Sequence, residues 1–342
     1  MDSNELARVA HAMVAKGKGL LAADESAGTI AKRFETIGVD STETNRRDYR
    51  EFLFRTTDAM KGHISGVILY DETIRQKAKD GTTLVALIEQ AGAIPGIKVD
   101  LGAKTLARCP GETITEGLDG LRERLIAYRG LGARFAKWRA VIDIGRGLPT
   151  FDAILTNAHA LARYAALCQE ESIVPIVEPE VLMDGDHTIE TCAKVTEWTL
   201  KEVFYALFNQ KVELEGMVLK PNMVVPGAKC AKQASVADVA ARTVAILKRC
   251  VPAAVPGIAF LSGGQSDEDA TAHLNAMNAA HRQLPWPLTF SYGRALQAAP
   301  QHAWSGKPEN IPAAQRAFAH RARMNSLATL GQWSPDLEKT AA

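Results

Sequence analysis

The sequence predicts an α/β protein, a closed (β/α)8 barrel, from three observations. Eight short apolar, β-prone runs recur along the chain, at 20–24, 65–70, 94–100, 133–142, 173–178, 215–220, 257–262 and 288–294. Between them lie stretches with apolar residues three or four apart, the spacing of one helix face. From one run to the next is roughly 39 residues on average, enough for a strand, a crossover helix and the return. Near-continuous apolar strands alternating with helices imply a parallel sheet covered on both faces. An open doubly wound sheet and a closed barrel both offer this. Eight strands in a chain longer than about 250 residues match the barrel.

The elements follow in order. A helix at 5–15 precedes the first strand, and another at 313–330 follows the last. Ile154, Leu155, Ala158, Leu161, Ala165 and Cys168 make one helical stripe, and Val236, Val239, Val244 and Leu247 another. Ser235 with Asp238, and Ser266 with Asp269, read as helix starts in which a side-chain oxygen receives a free backbone N–H. Pro175 sits inside a strand run, where its missing donor is tolerated only at a strand start or a bulge. No Ser/Gly/Pro-rich linker or charge block interrupts the chain, so residues 1–342 are expected to form a single domain. Residues 331–342 are expected to be a flexible C-terminal tail.

Composition narrows the function. A net charge of +1 with no basic run leaves no footprint for nucleic acid. No stretch approaches the ~20 apolar residues of a membrane span, so no membrane partner is expected. The start, Met1-Asp2-Ser3-Asn4-Glu5, lacks the basic and apolar segments of a signal peptide. Cys109, Cys168, Cys192, Cys230 and Cys250 are odd in number and scattered, which suits reduced thiols and a cytoplasmic location.

Almost every apolar run ends in a polar or ionisable group. Asp24 ends the first, Asp71 follows the second, and Lys98 with Asp100 closes the third. Lys137 and Arg139 lie in the fourth, Glu178 and Glu180 end the fifth, and Lys220 ends the sixth. In a barrel these ends converge on the rim where barrel enzymes hold their catalytic groups. Alternation puts Lys137 with Arg139, and Glu178 with Glu180, on one side of their strands. A single such lysine is ordinarily a solvated surface charge; the repetition is the signal. Lysines sharing one mouth would repel unless an anion balanced them, and phosphate fits.

The last two strand ends sharpen the phosphate reading. In Ser262-Gly263-Gly264 the glycines let backbone N–H groups approach an anion closely. Ser291, Gly293 and Arg294 add a hydroxyl, a second close approach and a guanidinium fork. Two ordinary glycine turns are the plain alternative. Ser26 and Thr29 in the first turn, followed by Arg33, suit a second anion or a helix N-cap. No G-x-G-x-x-G, H-E-x-x-H or G-x-S-x-G occurs, and the eight histidines show no ligand spacing. Asp184-Gly185-Asp186-His187 reads as a turn before a helix at Thr188 rather than a metal site.

Lysine with carboxylates remains. A lysine amine condenses with a ketone, and the protonated imine then withdraws electrons from the neighbouring C–C bond. The attacking amine must be uncharged, which apolar walls or a nearby cation promote. Met217-Val218-Leu219 supplies walls for Lys220, and Lys137 a cation. A glutamate protonates the departing water, and a second carboxylate takes a hydroxyl proton as the C–C bond breaks. The inventory matches a Schiff-base aldolase acting on a phosphorylated ketose.

These motifs resemble the class I fructose-bisphosphate aldolase family. They are Leu21-Ala22-Ala23-Asp24-Glu25-Ser26, Gly96-Ile97-Lys98-Val99-Asp100, Ala136-Lys137-Trp138-Arg139, Ile176-Val177-Glu178-Pro179-Glu180, Leu219-Lys220-Pro221-Asn222-Met223, Phe260-Leu261-Ser262-Gly263-Gly264-Gln265 and Ser291-Tyr292-Gly293-Arg294-Ala295-Leu296. They run in family order from about residue 4 to 330. The resemblance implies a TIM barrel, a homotetramer, and reversible cleavage of fructose 1,6-bisphosphate to dihydroxyacetone phosphate and glyceraldehyde 3-phosphate without a metal or other cofactor. By resemblance Lys220 is the Schiff-base nucleophile, Glu178 with Glu180 beside it the acid/base at the carbinolamine, Lys137 the cation near the imine, and Asp24 the carboxylate at the C–C step. Ser262, Gly263, Gly264, Ser291, Gly293 and Arg294 resemble the site of the first phosphate. Ser26, Thr29 and Lys98 resemble that of the other, with Arg33 and Arg139 lining the mouth.

Three departures stand out. Thr29 replaces a usual serine and keeps the hydroxyl, while Leu101 replaces a usual lysine and removes positive charge at the rim. Relatives end in a mobile tail whose terminal tyrosine assists proton exchange on the enamine. The sequence given ends Glu338-Lys339-Thr340-Ala341-Ala342, with Trp333 its last aromatic residue. The same chemistry on sedoheptulose 1,7-bisphosphate, which presents identical reacting carbons, is the near alternative. A non-catalytic sugar-phosphate-binding scaffold is the distant one, since fold does not fix function.

Overall fold

The structure is a computed structural model that describes residues 3–339. Its strands are β1 (Gly19–Ala23), β2 (Ile64–Leu69), β3 (Ile94–Lys98), β4 (Ala103–Thr105), β5 (Thr113–Thr115), β6 (Phe135–Ile142), β7 (Val174–Val181), β8 (Val218–Leu219), β9 (Ile258–Phe260) and β10 (Leu288–Tyr292). Eight of them close a parallel barrel in the order β1-β2-β3-β6-β7-β8-β9-β10, with β10 pairing back to β1. These are the eight runs expected from sequence. The antiparallel hairpin β4–β5 stands outside the barrel and was not anticipated.

Strand alternation divides the apolar residues between two cores. Leu20, Ile68, Phe135, Val174, Ile176, Val218 and Ala259 point inward and form one cluster with Leu6, Val9, Ala10 and Met13 of the helix Ser3–Met13. That helix closes the barrel's N-terminal end. Their outward neighbours, among them Leu21, Val67, Ile97, Trp138, Val177, Leu219 and Phe260, join the larger core beneath the surrounding helices. The fully buried Phe135 ring fills the interior at Gly96, where an added Cβ would lie 2.2 Å from it. Glycine is required there by space.

Pro175 lies in β7 beside Ala136 of β6. The neighbouring Val174 donates to Arg134 O on the β6 side, so Pro175 faces β8, whose pairing begins only at Ile176. No ladder bond is lost. The run expected over 215–220 is shorter than anticipated, because Leu214–Gly216 forms a 3-10 turn. Gln169 satisfies that turn in place of a ladder: its Oε1 accepts from Glu213 N at 2.9 Å and its Nε2 donates to Glu213 O at 2.7 Å.

The helices Phe151–Glu170, Val236–Cys250 and Ile311–Thr329 cover the expected stripes. Ser235 and Ser266 accept the backbone N–H of Asp238 and Asp269 as the sequence implied. Thr188 caps the helix Ile189–Asn209, so the turn reading of 184–187 holds. Of the expected tail, residues 331–339 are described. Pro335–Glu338 is a short helix whose Glu338 accepts from Arg321 at 2.7 Å and from Trp333 Nε1 at 2.9 Å. Residues 340–342 lie outside the described residues. Among the described residues no helix is long and apolar enough to cross a membrane.

Candidate active site

At the C-terminal ends of the barrel strands the inward alternation continues, but the side chains change from apolar to charged. Leu20 and Ala22 lead to Asp24, Phe135 to Lys137 and Arg139, Ile176 to Glu178 and Glu180, and Val218 to Lys220. Every residue given a catalytic or phosphate-binding role from sequence lines one cavity of about 550 Å³ at this mouth: Lys220, Glu178, Lys137, Asp24 and Glu180, the turn residues Ser262, Gly263, Gly264, Ser291, Gly293 and Arg294, and Ser26, Thr29, Lys98, Arg33 and Arg139; the strand-end Asp71 and Asp100 do not.

The floor of the cavity is a buried chain of alternating charge. Lys220 Nζ lies 3.0 Å from Glu178 Oε1, and Lys137 Nζ lies 3.4 Å from Glu178 Oε2 and 2.7 Å from Asp24 Oδ2. β7 and β8 are neighbours, whereas β1 and β6 are separated by two strands, so the Lys137–Asp24 bond spans the mouth. Asp100 pairs with Lys98 at 2.7 Å and stands 4.0 Å from Lys137. Asp24, Glu178 and Asp100 thus balance the lysines of the floor. Burial by itself pushes the Asp24 carboxyl up, but Lys137, Lys220 and Lys98 outweigh it and hold it at about 2. Burial favours the neutral amine of Lys137, yet Asp24, Glu178 and Asp100 outweigh that and raise it. Lys137 is therefore a fixed cation and Asp24 a fixed anion.

Above this floor the wall on β9 and β10 is built of donors. Ser291 Oγ is buried without a hydrogen-bond partner, and Gly263 takes φ +56°, which glycine alone adopts freely. Arg294 donates to Gly263 O at 2.7 Å and Gln265 O at 3.2 Å, which brings its guanidinium beside the turn. On the opposite wall Ser26 caps the helix Ala27–Glu35 and Thr29 sits on its first turn, within hydrogen-bond distance of Ser26 Oγ. The N-cap and anion readings of that turn are compatible. Arg139 pairs with Glu180 and Arg33 with Glu25 at the rim.

One buried network escaped the sequence reading. Glu25 is ion-paired to Arg33 and to the buried Arg50, and it accepts from Gln297 Nε2 at 2.8 Å. Gln297 also donates to Ala22 O at 2.7 Å, tying the end of β1 to the helix Arg294–Trp304. The available signal was Arg50 itself, a charge among the buried residues 49–54 of the helix Glu43–Phe54. Met183, which also lines the cavity, likewise carried no polar mark in the sequence.

A family model described as fructose-bisphosphate aldolase class-I matches residues 5–342. The chain belongs to the class I fructose-bisphosphate aldolase family. Among relatives, a Xanthomonas campestris pv. campestris protein named "Probable fructose-bisphosphate aldolase class 1" is 58% identical over 97% of this chain and 99% of its own. The fructose-bisphosphate aldolase of Echinococcus multilocularis is 54% identical over 99% of this chain and 93% of its own. "Fructose-bisphosphate aldolase 4, cytosolic" of Arabidopsis thaliana is 54% identical over 94% and 82%. A solved Plasmodium falciparum fructose-bisphosphate aldolase, in complex with TRAP and a small-molecule inhibitor, superposes with a TM-score of 0.95 at 49% identity, covering 97% of this chain and 96% of that one. As a member of this aldolase family the chain is a Schiff-base lyase by class and binds a phosphorylated sugar. Among the described residues no group of three or more His, Cys, Asp or Glu is arranged to hold a metal.

Proposed function

We propose that this family member cleaves fructose 1,6-bisphosphate reversibly to dihydroxyacetone phosphate and glyceraldehyde 3-phosphate, in glycolysis and gluconeogenesis, through an imine on Lys220. The observation that carries this is the buried Lys220 amine 3.0 Å from Glu178 Oε1, in a mouth with a donor-rich wall on each side. The Lys220 lone pair attacks the ketone carbon C2. Glu178 first takes the proton that the Lys220 ammonium sheds to free that lone pair; after attack the N–H proton moves to the alkoxide, and Glu178 then gives its proton to the carbinolamine hydroxyl, which leaves as water. Asp24 takes the proton of the C4 hydroxyl; the C3–C4 bond breaks, its electrons move toward the iminium nitrogen, and the C4 aldehyde leaves. The enamine is protonated at C3, and water adds back to release the second product. Lys137 stays charged throughout and orients Glu178 and Asp24. The protonated imine is the electron sink, so the reaction as written uses neither metal nor bound cofactor.

Lys220 directly follows β8, whose neighbour β9 leads on to β10, and this order supports placing the ketone-side phosphate at Ser262, Gly263, Gly264, Ser291, Gly293 and Arg294. The phosphate of the aldehyde half goes to Ser26, Thr29 and Lys98, with Arg33 and Arg139 at the rim. Borohydride reduction with dihydroxyacetone phosphate is expected to fix the sugar on Lys220, located by peptide mapping. An adduct on another lysine, or activity abolished by EDTA and restored by zinc, would overturn the assignment. The relatives' names favour the six-carbon substrate over sedoheptulose 1,7-bisphosphate, and comparing the two cleavage rates separates them. A cytoplasmic location rests on the named cytosolic relative and on five free cysteines. A homotetramer is the expected assembly, for which the exposed Tyr205 and Phe208 offer apolar contact area; sedimentation analysis reads it directly.

A further inference from the structure

The turn Ser262–Gln265 is held from behind by a directional relay. Gln265 Nε2 donates to Ser262 O at 2.9 Å, and Gln265 N donates to the same carbonyl at 3.2 Å. With its amide nitrogen committed, Gln265 can offer only its Oε1 to His273 Nδ1, 2.6 Å away. That contact requires the proton on Nδ1. His273 lies on the helix Asp267–Ala280, whose side chains lean toward its N-terminus, so it reaches back eight residues to the turn. It is 8% exposed, and burial holds its imidazole below the usual histidine range, against the pull of Asp269. Arg294 secures two further carbonyls, Gly263 O and Gln265 O. With the carbonyls of 262, 263 and 265 all tied to protein donors, none of these three oxygens turns toward an anion in the mouth.

We propose that His273 is a positioning residue for phosphate binding: through Gln265 it locks the Ser262 carbonyl and keeps the Ser-Gly-Gly turn in its anion-accepting form. This rests on the proposed placement of the ketone-side phosphate. Without the histidine the Gln265 amide is free to rotate, and its oxygen can then meet Ser262 O with no proton between them. The turn then relaxes, and phosphate affinity falls while the imine chemistry at Lys220 remains.

The test is borohydride trapping of His273→Phe with two ketones, dihydroxyacetone phosphate and unphosphorylated dihydroxyacetone. The half-saturating concentration of the phosphorylated ketone should rise about tenfold, with trapping of the unphosphorylated one changed by less than about twofold, the loss of roughly one well-aligned hydrogen bond's effect. The inhibition constant of inorganic phosphate should rise in parallel. Equal loss for both ketones would show a general structural role and overturn the proposal, as would no change for either. Gln265→Met, which removes the side-chain bonds to Ser262 O and His273, gives the same comparison should the histidine variant fail to fold. Absence of any adduct in the wild-type enzyme would instead defeat the aldolase mechanism itself.

Discussion

Replacing Lys137 by methionine tests the charge balance of the floor. The side chains of Lys137 and Asp24 are only 5% and 12% exposed, so solvent screens their interaction weakly. Asp24 sits at about 2 against a reference of 3.8; a depression of that size corresponds to about 2 kcal/mol of native stability at neutral pH. Because the folded value is the lower one, this stability is present above pH 3.8 and is lost as pH falls toward 2. Lys137→Met removes the nearest cation and leaves Asp24, Glu178 and Asp100 with less compensation, so the total loss at pH 7 should reach about 3–5 kcal/mol. In the variant, burial is less opposed and the Asp24 carboxyl rises. Its contribution then changes sign: the variant recovers stability as pH is lowered from 7 toward 5, where the wild type gains nothing from this group. Urea midpoints at pH 5, 6 and 7 measure the difference between the two proteins. A gap that stays constant or widens toward pH 5 would refute the account. Turnover should fall as well, since a protonated Asp24 cannot accept the hydroxyl proton.

Three further outcomes follow from particular contacts. Lys220→Met should lower turnover by at least about 10⁴-fold, the scale seen when a covalent nucleophile is removed; calorimetry with inorganic phosphate should still detect binding, and near-wild-type turnover would exclude the imine. Gly96→Ala places a Cβ 2.2 Å from the Phe135 ring, so the urea midpoint should report about 1–3 kcal/mol of overpacking. Arg50→Met leaves Glu25 with Arg33 and Gln297 only, and should destabilise by about 3–5 kcal/mol; an unchanged midpoint would show that the network adds nothing.

The barrel was legible because its strands are short apolar runs with charges at one end. That signal is local, and alternation puts Lys137 with Arg139, and Glu178 with Glu180, on one side of their strands. The turn motifs at 262–264 and 291–294 were readable as residues of the mouth because each lies at the C-terminal end of a barrel strand. The hairpin β4–β5 was missed because its strands are three residues each, too short to show a period. The Glu25–Arg50–Gln297 network was missed because its members lie 25 and 247 residues apart, with no local pattern joining them. His273 looked like any helical histidine until its ring was seen against Gln265.

By itself the sequence determined which residues share a strand face and which strand ends carry charge, because side-chain period follows from backbone geometry. Only the tertiary structure decided who neutralises whom. Closing the barrel sets Lys137 against Asp24 across the mouth and brings Glu178 and Asp100 to Lys220, Lys137 and Lys98. Electrostatic pairing depends on distance through space and on the exclusion of water, and neither exists until the last strand meets the first.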